Sequence, residues 1–165
     1  LGYTYSITRR KFPQFNSPIN QPQQTRYYPP KYDRTHDLTL VLNYRLSQRW
    51  QATSVFSYAT GQAFTKPLGR TQTIGNPFNS EPLDVLTVGK VNASRLPDYH
   101  RLDLSFTRQG SFFGIAKGEW KFQVINAYSR RNVWFYNYNF DKNPVEREEV
   151  QLLPVLPSVS YTVNF

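Results

Sequence analysis

The chain has 165 residues, a formal net charge of +9 and no cysteine, which excludes a disulfide framework, a thiolate metal site and a cysteine nucleophile. Aromatic residues make up 16% of it, with 12 Phe, 12 Tyr and 3 Trp, far from the aromatic-poor composition of disordered chains. No apolar run approaches the ~20 residues of a transmembrane helix, but strands hide their apolar surface on alternate residues, so a membrane barrel stays open.

In chain order the periodicity is two. LGYTYSIT at the start sets Leu1, Tyr3, Tyr5 and Ile7 on one face. In 36–46, Leu38, Leu40, Leu42, Tyr44 and Leu46 alternate with Asp37, Thr39, Asn43 and Arg45, with Val41 the apolar exception. A helix would scatter these leucines around its circumference; a strand with one apolar and one wet face collects them. The pattern returns at 50–60 (Trp50, Ala52, Phe56, Tyr58), at 100–108 (Leu102, Leu104, Phe106) and at 119–128 (Trp120, Phe122, Val124, Tyr128). It closes at 158–165 with Val159, Tyr161, Val163 and Phe165. Six strands and no helix are predicted.

The connections alternate in length. Residues 9–34, 61–99 and 129–150 are long and polar, whereas 47–49 is a tight turn and 109–118 is short. The stretch VWFYNYNF (133–140) is itself strand-like and predicts a hairpin rising past the main band. Long loops at one end and short turns at the other are the habit of transmembrane barrels, and structureless loops of this length are unusual in a compact domain. This parity puts the C-terminus on the periplasmic side.

The aromatic spacing agrees. Trp50 and Tyr58 are eight positions apart, as are Trp120 and Tyr128. Eight residues of tilted strand rise roughly 20 Å, close to the height of the apolar band between two aromatic girdles. Six strands leave two open edges in lipid, so more strands are expected to complete the barrel. No Met occurs, so Leu1 is not a translation start, and the chain is expected to belong to a longer polypeptide.

The basic charge does not form a nucleic-acid stripe. Residues 9–34 hold Arg9, Arg10, Lys11, Arg26, Lys31 and Arg34 against Asp33, a net of +5, while 129–150 sum to zero. The excess lies in loops. Arg9, Arg10, Lys11 and Arg26 are candidates for lipopolysaccharide phosphates, which guanidinium suits. Tyr27, Tyr28, Tyr32, Trp134, Tyr136 and Tyr138 are candidates for an aromatic substrate platform on the outer face. His36 and His100, in THDLTL and YHRLDL, each stand where a strand leaves a long loop; they are candidates for rim ligands of a metal chelate, but hydrogen-bonded strand-end roles near Asp33, Asp37 or Asp98 are expected for both. No phosphate loop, HExxH or CxxC occurs. Neither catalytic residues nor a metal or cofactor site are expected.

The stretches YDRTHDL (32–38), RLPDYHRLDLSF (95–106), NAYSRRNVWFYNY (126–138) and LLPVLPSVSYTVNF (152–165), with Trp50 after a short turn and YATG at 58–61, resemble the C-terminal barrel of TonB-dependent outer-membrane receptors, in their Bacteroidota flavour. The resemblance covers nearly the whole chain. It implies that residues 1–165 are the last six strands of a barrel of about 22, plugged by an N-terminal domain that lies outside this sequence. It implies energised uptake of a metal chelate, cobalamin, glycan or peptide, with TonB engaged by a segment not present here. Val159, Tyr161, Val163 and Phe165 resemble the terminal assembly signal that the outer-membrane insertion machinery reads by β-augmentation. A surface lipoprotein partner is compatible with it, and no nucleic acid is implied. Two other functions fit the residues less well: an outer-membrane barrel of another kind, such as a protein-export channel or envelope scaffold, and, more distantly, a soluble basic β protein binding single-stranded nucleic acid.

Overall fold

A computed structural model describes residues 1–12, 27–73, 83–112 and 116–164. Its elements are β1 (Gly2–Tyr5), β2 (Arg10–Lys11), β3 (Tyr27–Tyr28), β4 (His36–Arg45), β5 (Trp50–Ala59), β6 (Ala63–Phe64) and β7 (Pro67–Thr73). They continue with β8 (Leu83–Val88), β9 (Ser94–Arg95), β10 (Tyr99–Phe112), β11 (Ala116–Ile125), β12 (Val133–Asn139), β13 (Glu146–Gln151) and β14 (Leu156–Asn164). The fold is all-β and every pairing is antiparallel.

Six strands form one sheet in the order β1-β4-β5-β10-β11-β14. These are the six segments that alternate in sequence, and they lie side by side in chain order. No closed barrel forms among the described residues. Among the described residues, β1 and β14 each carry one edge without a partner strand.

The register stacks the alternating residues into one continuous face. Leu40 stands opposite Phe56, which stands opposite Leu102. Phe106 stands opposite Phe122, which stands opposite Val159. The other face carries Thr39, Asn43, Thr53, Ser105, Gln123 and Ser160. Period two makes this automatic, because a slip of one residue would move every leucine to the other side.

Among the described side chains of the apolar face, none is buried. Leu42 is 58% exposed, Tyr44 69% and Val159 62%. Apart from Gly118, the buried described residues lie within 28–33, 59–63 and 126–132, at the long-loop end. The core therefore sits on top of the band rather than against it.

The short-turn end is tighter than the sequence suggests. Ser47 Oγ accepts from the Arg49 and Trp50 amides at 3.3 and 3.2 Å, closing the first turn as a serine turn. The second connection is 113–115 rather than 109–118, because β10 and β11 run on through Gly110 and Gly118. A Cβ on Gly118 would stand 2.2 Å from the Tyr161 hydroxyl, so this glycine seats the Tyr161 ring, which also meets Trp120 at 4.6 Å between centroids.

The long connections depart from expectation, because they carry their own strands. β2 pairs β3, β6 pairs β9, β7 pairs β8 and β12 pairs β13. The β12–β13 hairpin is the one that 133–140 predicts. The others escape sequence reading because two-residue pairs have no period to detect, and in β7 (PLGRTQT) polar residues fall on both faces.

Candidate functional site

The long-loop end is built on side chains that satisfy backbone groups. Asp33, 4% exposed, pairs with Arg95 and accepts from the Thr8 amide at 2.9 Å. Arg95 also donates to the carbonyls of Asp33 and Gly61 at 3.1 and 2.9 Å. Burial pushes the Asp33 carboxyl up, but the Thr8 amide, the Arg95 guanidinium and the charge of Arg9 outweigh it, and the group stays below its ordinary value. Asp98 is also held low, by the Tyr58 hydroxyl at 2.8 Å and the Gly61 amide at 3.0 Å. Gly61 admits no side chain, since a Cβ would stand 1.7 Å from the Leu96 carbonyl oxygen. Thus YDRTHDL, YATG and RLPDYHRLDL converge from three segments into one collar.

NAYSRRN supplies the second half. Asn126 takes a left-handed backbone (φ 56°), which asparagine tolerates better than most residues. Its buried amide donates to the carbonyls of Arg130 and Leu153 at 3.0 and 3.1 Å, and its oxygen accepts from the Arg130 amide at 2.9 Å. Its own backbone amide donates to Asp103 at 2.9 Å. Asn132 donates to the His100 carbonyl at 2.9 Å and accepts from the His100 amide at 3.2 Å, standing in for a strand residue. These two asparagines, with Gly61 and Arg95, were not singled out by sequence reasoning, which named Asp33 and Asp98 only as neighbours of the histidines. Only Asn126 and Gly61, in turn-like contexts, carry a local signal.

A cleft opens beside the collar, about 360 Å³ in volume, between β6 and β12. Trp134, Tyr136 and Tyr138 wall one side and Phe64 the other, with the Phe64 and Tyr136 rings 5.5 Å apart. Lys31 and Gln62 stand at its lining. A smaller hollow of about 90 Å³ adjoins it, shares Gln62, Leu96 and Trp134, and holds Arg34.

The six platform candidates therefore divide. Trp134, Tyr136 and Tyr138 meet in this cleft. Tyr28 is buried, and Tyr27 and Tyr32 lie elsewhere, under Lys11 and Arg10 at 5.6 and 5.3 Å from their ring centres. Of the basic candidates, Arg10 also donates to the Tyr32 hydroxyl at 2.7 Å, and Arg9 lines a separate hollow with Asp33. Arg26 lies outside the described residues.

The four spaced aromatics fall into two register rows. Trp50, Arg108, Trp120 and Tyr161 stand across from one another toward the short-turn end, and Arg108 lies 5.7 Å from the Trp50 ring centre. Tyr58 stands opposite His100 at the other end. β11 stops at Ile125, so Tyr128 reaches this row from a turn and not from a strand. It does so by a 2.7 Å hydrogen bond to His100. His36 shares a 2.8 Å hydrogen bond with Tyr3, so both histidines have strand-end partners. Of the terminal residues, Val159 and Tyr161 pair with Phe122 and Trp120, and Val163 with Gly118; Phe165 lies outside the described residues.

Among the described residues no group of three or more His, Asp or Glu is placed to hold a metal ion. No protein-family model, no curated protein and no solved structure matches this chain.

Proposed function

We propose that the chain is part of an antiparallel transmembrane barrel in the outer membrane of a Gram-negative bacterium, and that the barrel is a TonB-dependent receptor importing a scarce nutrient. One observation carries the membrane part: an apolar face six strands wide that no described residue covers as a layer, opposite a polar face. Large uncovered apolar surfaces are rare in soluble monomers, and lipid is the solvent that suits this one. Two aromatic rows near the ends of the strands fit interfacial girdles. Further strands would satisfy the open edges of β1 and β14, since unpaired backbone groups in lipid are costly. The polar face lines the lumen and the long-loop end faces outward, near lipopolysaccharide.

The transport part rests on the resemblance of the quoted motifs. It assigns energy coupling to TonB and membrane insertion to recognition of the terminal strand. The chain itself performs no covalent chemistry in this reading: ligand is bound among the long loops and passed along the barrel.

The test is fractionation of the native protein from its source cells. Recovery in the outer membrane, resistance to alkaline carbonate and a gel mobility that changes on heating are expected. Recovery as a soluble protein without detergent would overturn the proposal. A barrel whose full polypeptide lacks a plug, or whose loss leaves uptake unchanged, would replace the importer with an export channel or scaffold.

A further inference from the structure

We propose that the cleft between β6 and β12 binds an acidic sugar, a hydroxylated ring bearing a carboxylate. This names the ligand chemistry of the importer reading, on which it rests for transport though not for binding. A volume of about 360 Å³ is in the range of small-molecule sites, ~300–1,000 Å³. Trp134 is 62% exposed and meets Phe135 edge-on, 5.2 Å between ring centres. The faces of aromatic rings are negative, and the C–H bonds on the flat side of a sugar are positive, so the two stack.

The rest of the lining selects among ring compounds. The Gln62 side chain and the hydroxyls of Tyr136 and Tyr138 make no hydrogen bond among the described residues, so they are open to sugar hydroxyls. An aryl acid would cover these polar groups without satisfying them, at a cost in affinity. Charge selects further. Lys31 in the cleft and Arg34 in the adjoining hollow have no ion pair among the described residues, although Arg34 lies 5.8 Å from the Tyr99 ring centre. The carboxylates nearby are engaged: Asp33 by Arg95, Asp98 by Tyr58 and Gly61, and Glu149, opposite Tyr136, by Arg147 at 3.5 Å. Asp98 keeps its charge, since the Tyr58 hydroxyl and the Gly61 amide are neutral donors, and against Lys31 and Arg34 the charge left over is a single positive one. A neutral sugar would leave it unused.

The experiment uses the full native protein in detergent, titrated with an oligogalacturonate, a neutral gluco-oligosaccharide of equal length, and benzoate. Tryptophan fluorescence reports binding, and W134F assigns the signal. A saturable response to the oligogalacturonate is expected, with the neutral sugar weaker by at least tenfold. K31Q and R34Q should each weaken acid binding about tenfold, as loss of a charge-assisted contact does, and leave the neutral sugar unchanged. Heat-modifiable mobility checks that each variant is folded. Equal binding of the neutral sugar, or binding of benzoate alone, would overturn the proposal. So would no response from a folded, membrane-embedded protein, which would leave the barrel reading standing. A soluble protein that binds the oligogalacturonate would do the reverse.

Discussion

The six-stranded band and the collar at its long-loop end are held together by different means. The band has long ladders and, among the described residues, no buried side chain on its apolar face. The collar has short two-residue strands, yet it holds the buried polar residues Asp33, Asn126 and Asn132. Backbone pairing and the surrounding solvent define the band, so its chemistry is repetitive. Individual side chains define the collar, so each residue there is particular. A substitution in the band should act through which face it touches, and one in the collar through which partner it loses.

The largest effect should come from breaking the face rule. Leu40→Arg puts a charge at the middle of the apolar face and should cost about 3 kcal/mol if that face meets lipid. Thr39→Arg, one residue away on the polar face, should leave the heat-modifiable fraction unchanged. Equal sensitivity at both positions would show that the two faces do not differ in environment.

In the collar, Asn126→Ala removes three hydrogen bonds and a residue suited to positive φ, and should cost about 2–3 kcal/mol. Asn126→Gly keeps the backbone freedom and should recover about 1 kcal/mol of that. Chemical denaturation of the two variants side by side separates the backbone part from the hydrogen bonds.

A smaller effect is expected at Asp33, whose partner Arg95 is 40% exposed. Asp33→Asn should cost about 1–2 kcal/mol at neutral pH. The Asp33 and Asp98 carboxyls are held below their ordinary value of 3.8. Their stabilisation is therefore complete above that value and is lost as pH falls through the lower folded values. Protection factors against hydrogen exchange at 60–63 and 94–98, taken relative to the intrinsic rate at each pH, should fall on acidification below about pH 4, and less so in the Asp33→Asn variant. The smallest change should be Arg108→Ala, at about 0.5 kcal/mol, since an exposed cation over Trp50 contributes little.

The same contrast governs what could be read in advance. The band was legible because period two is written into adjacent residues: Leu38, Leu40 and Leu42 declare their face without reference to anything distant. The collar was not, because its determinants are far apart in the chain. Asp33 and Arg95 are 62 positions apart and Gly61 and Asp98 are 37, and no local pattern marks either pair. The aromatic cleft was half legible. Trp134, Tyr136 and Tyr138 alternate along one strand, but Phe64 and Lys31 join them only through the fold, while Tyr27 and Tyr32 look similar in sequence and stand apart.

Asn132 has a consequence for how such a molecule can vary. Its side-chain amide occupies both backbone hydrogen-bonding groups of His100, so the ladder continues after β11 has left it. The excursion that follows, β12 and β13, re-enters with the Leu152 amide on the Asn132 carbonyl at 2.8 Å. β12 and β13 thus join the sheet through this clasp, and Tyr136 and Asp141 add ties to Phe64 of β6 and Arg70 of β7. A hairpin of another length or composition could be exchanged there without moving a strand of the sheet below, so the loop end can vary while the ladders stay as they are.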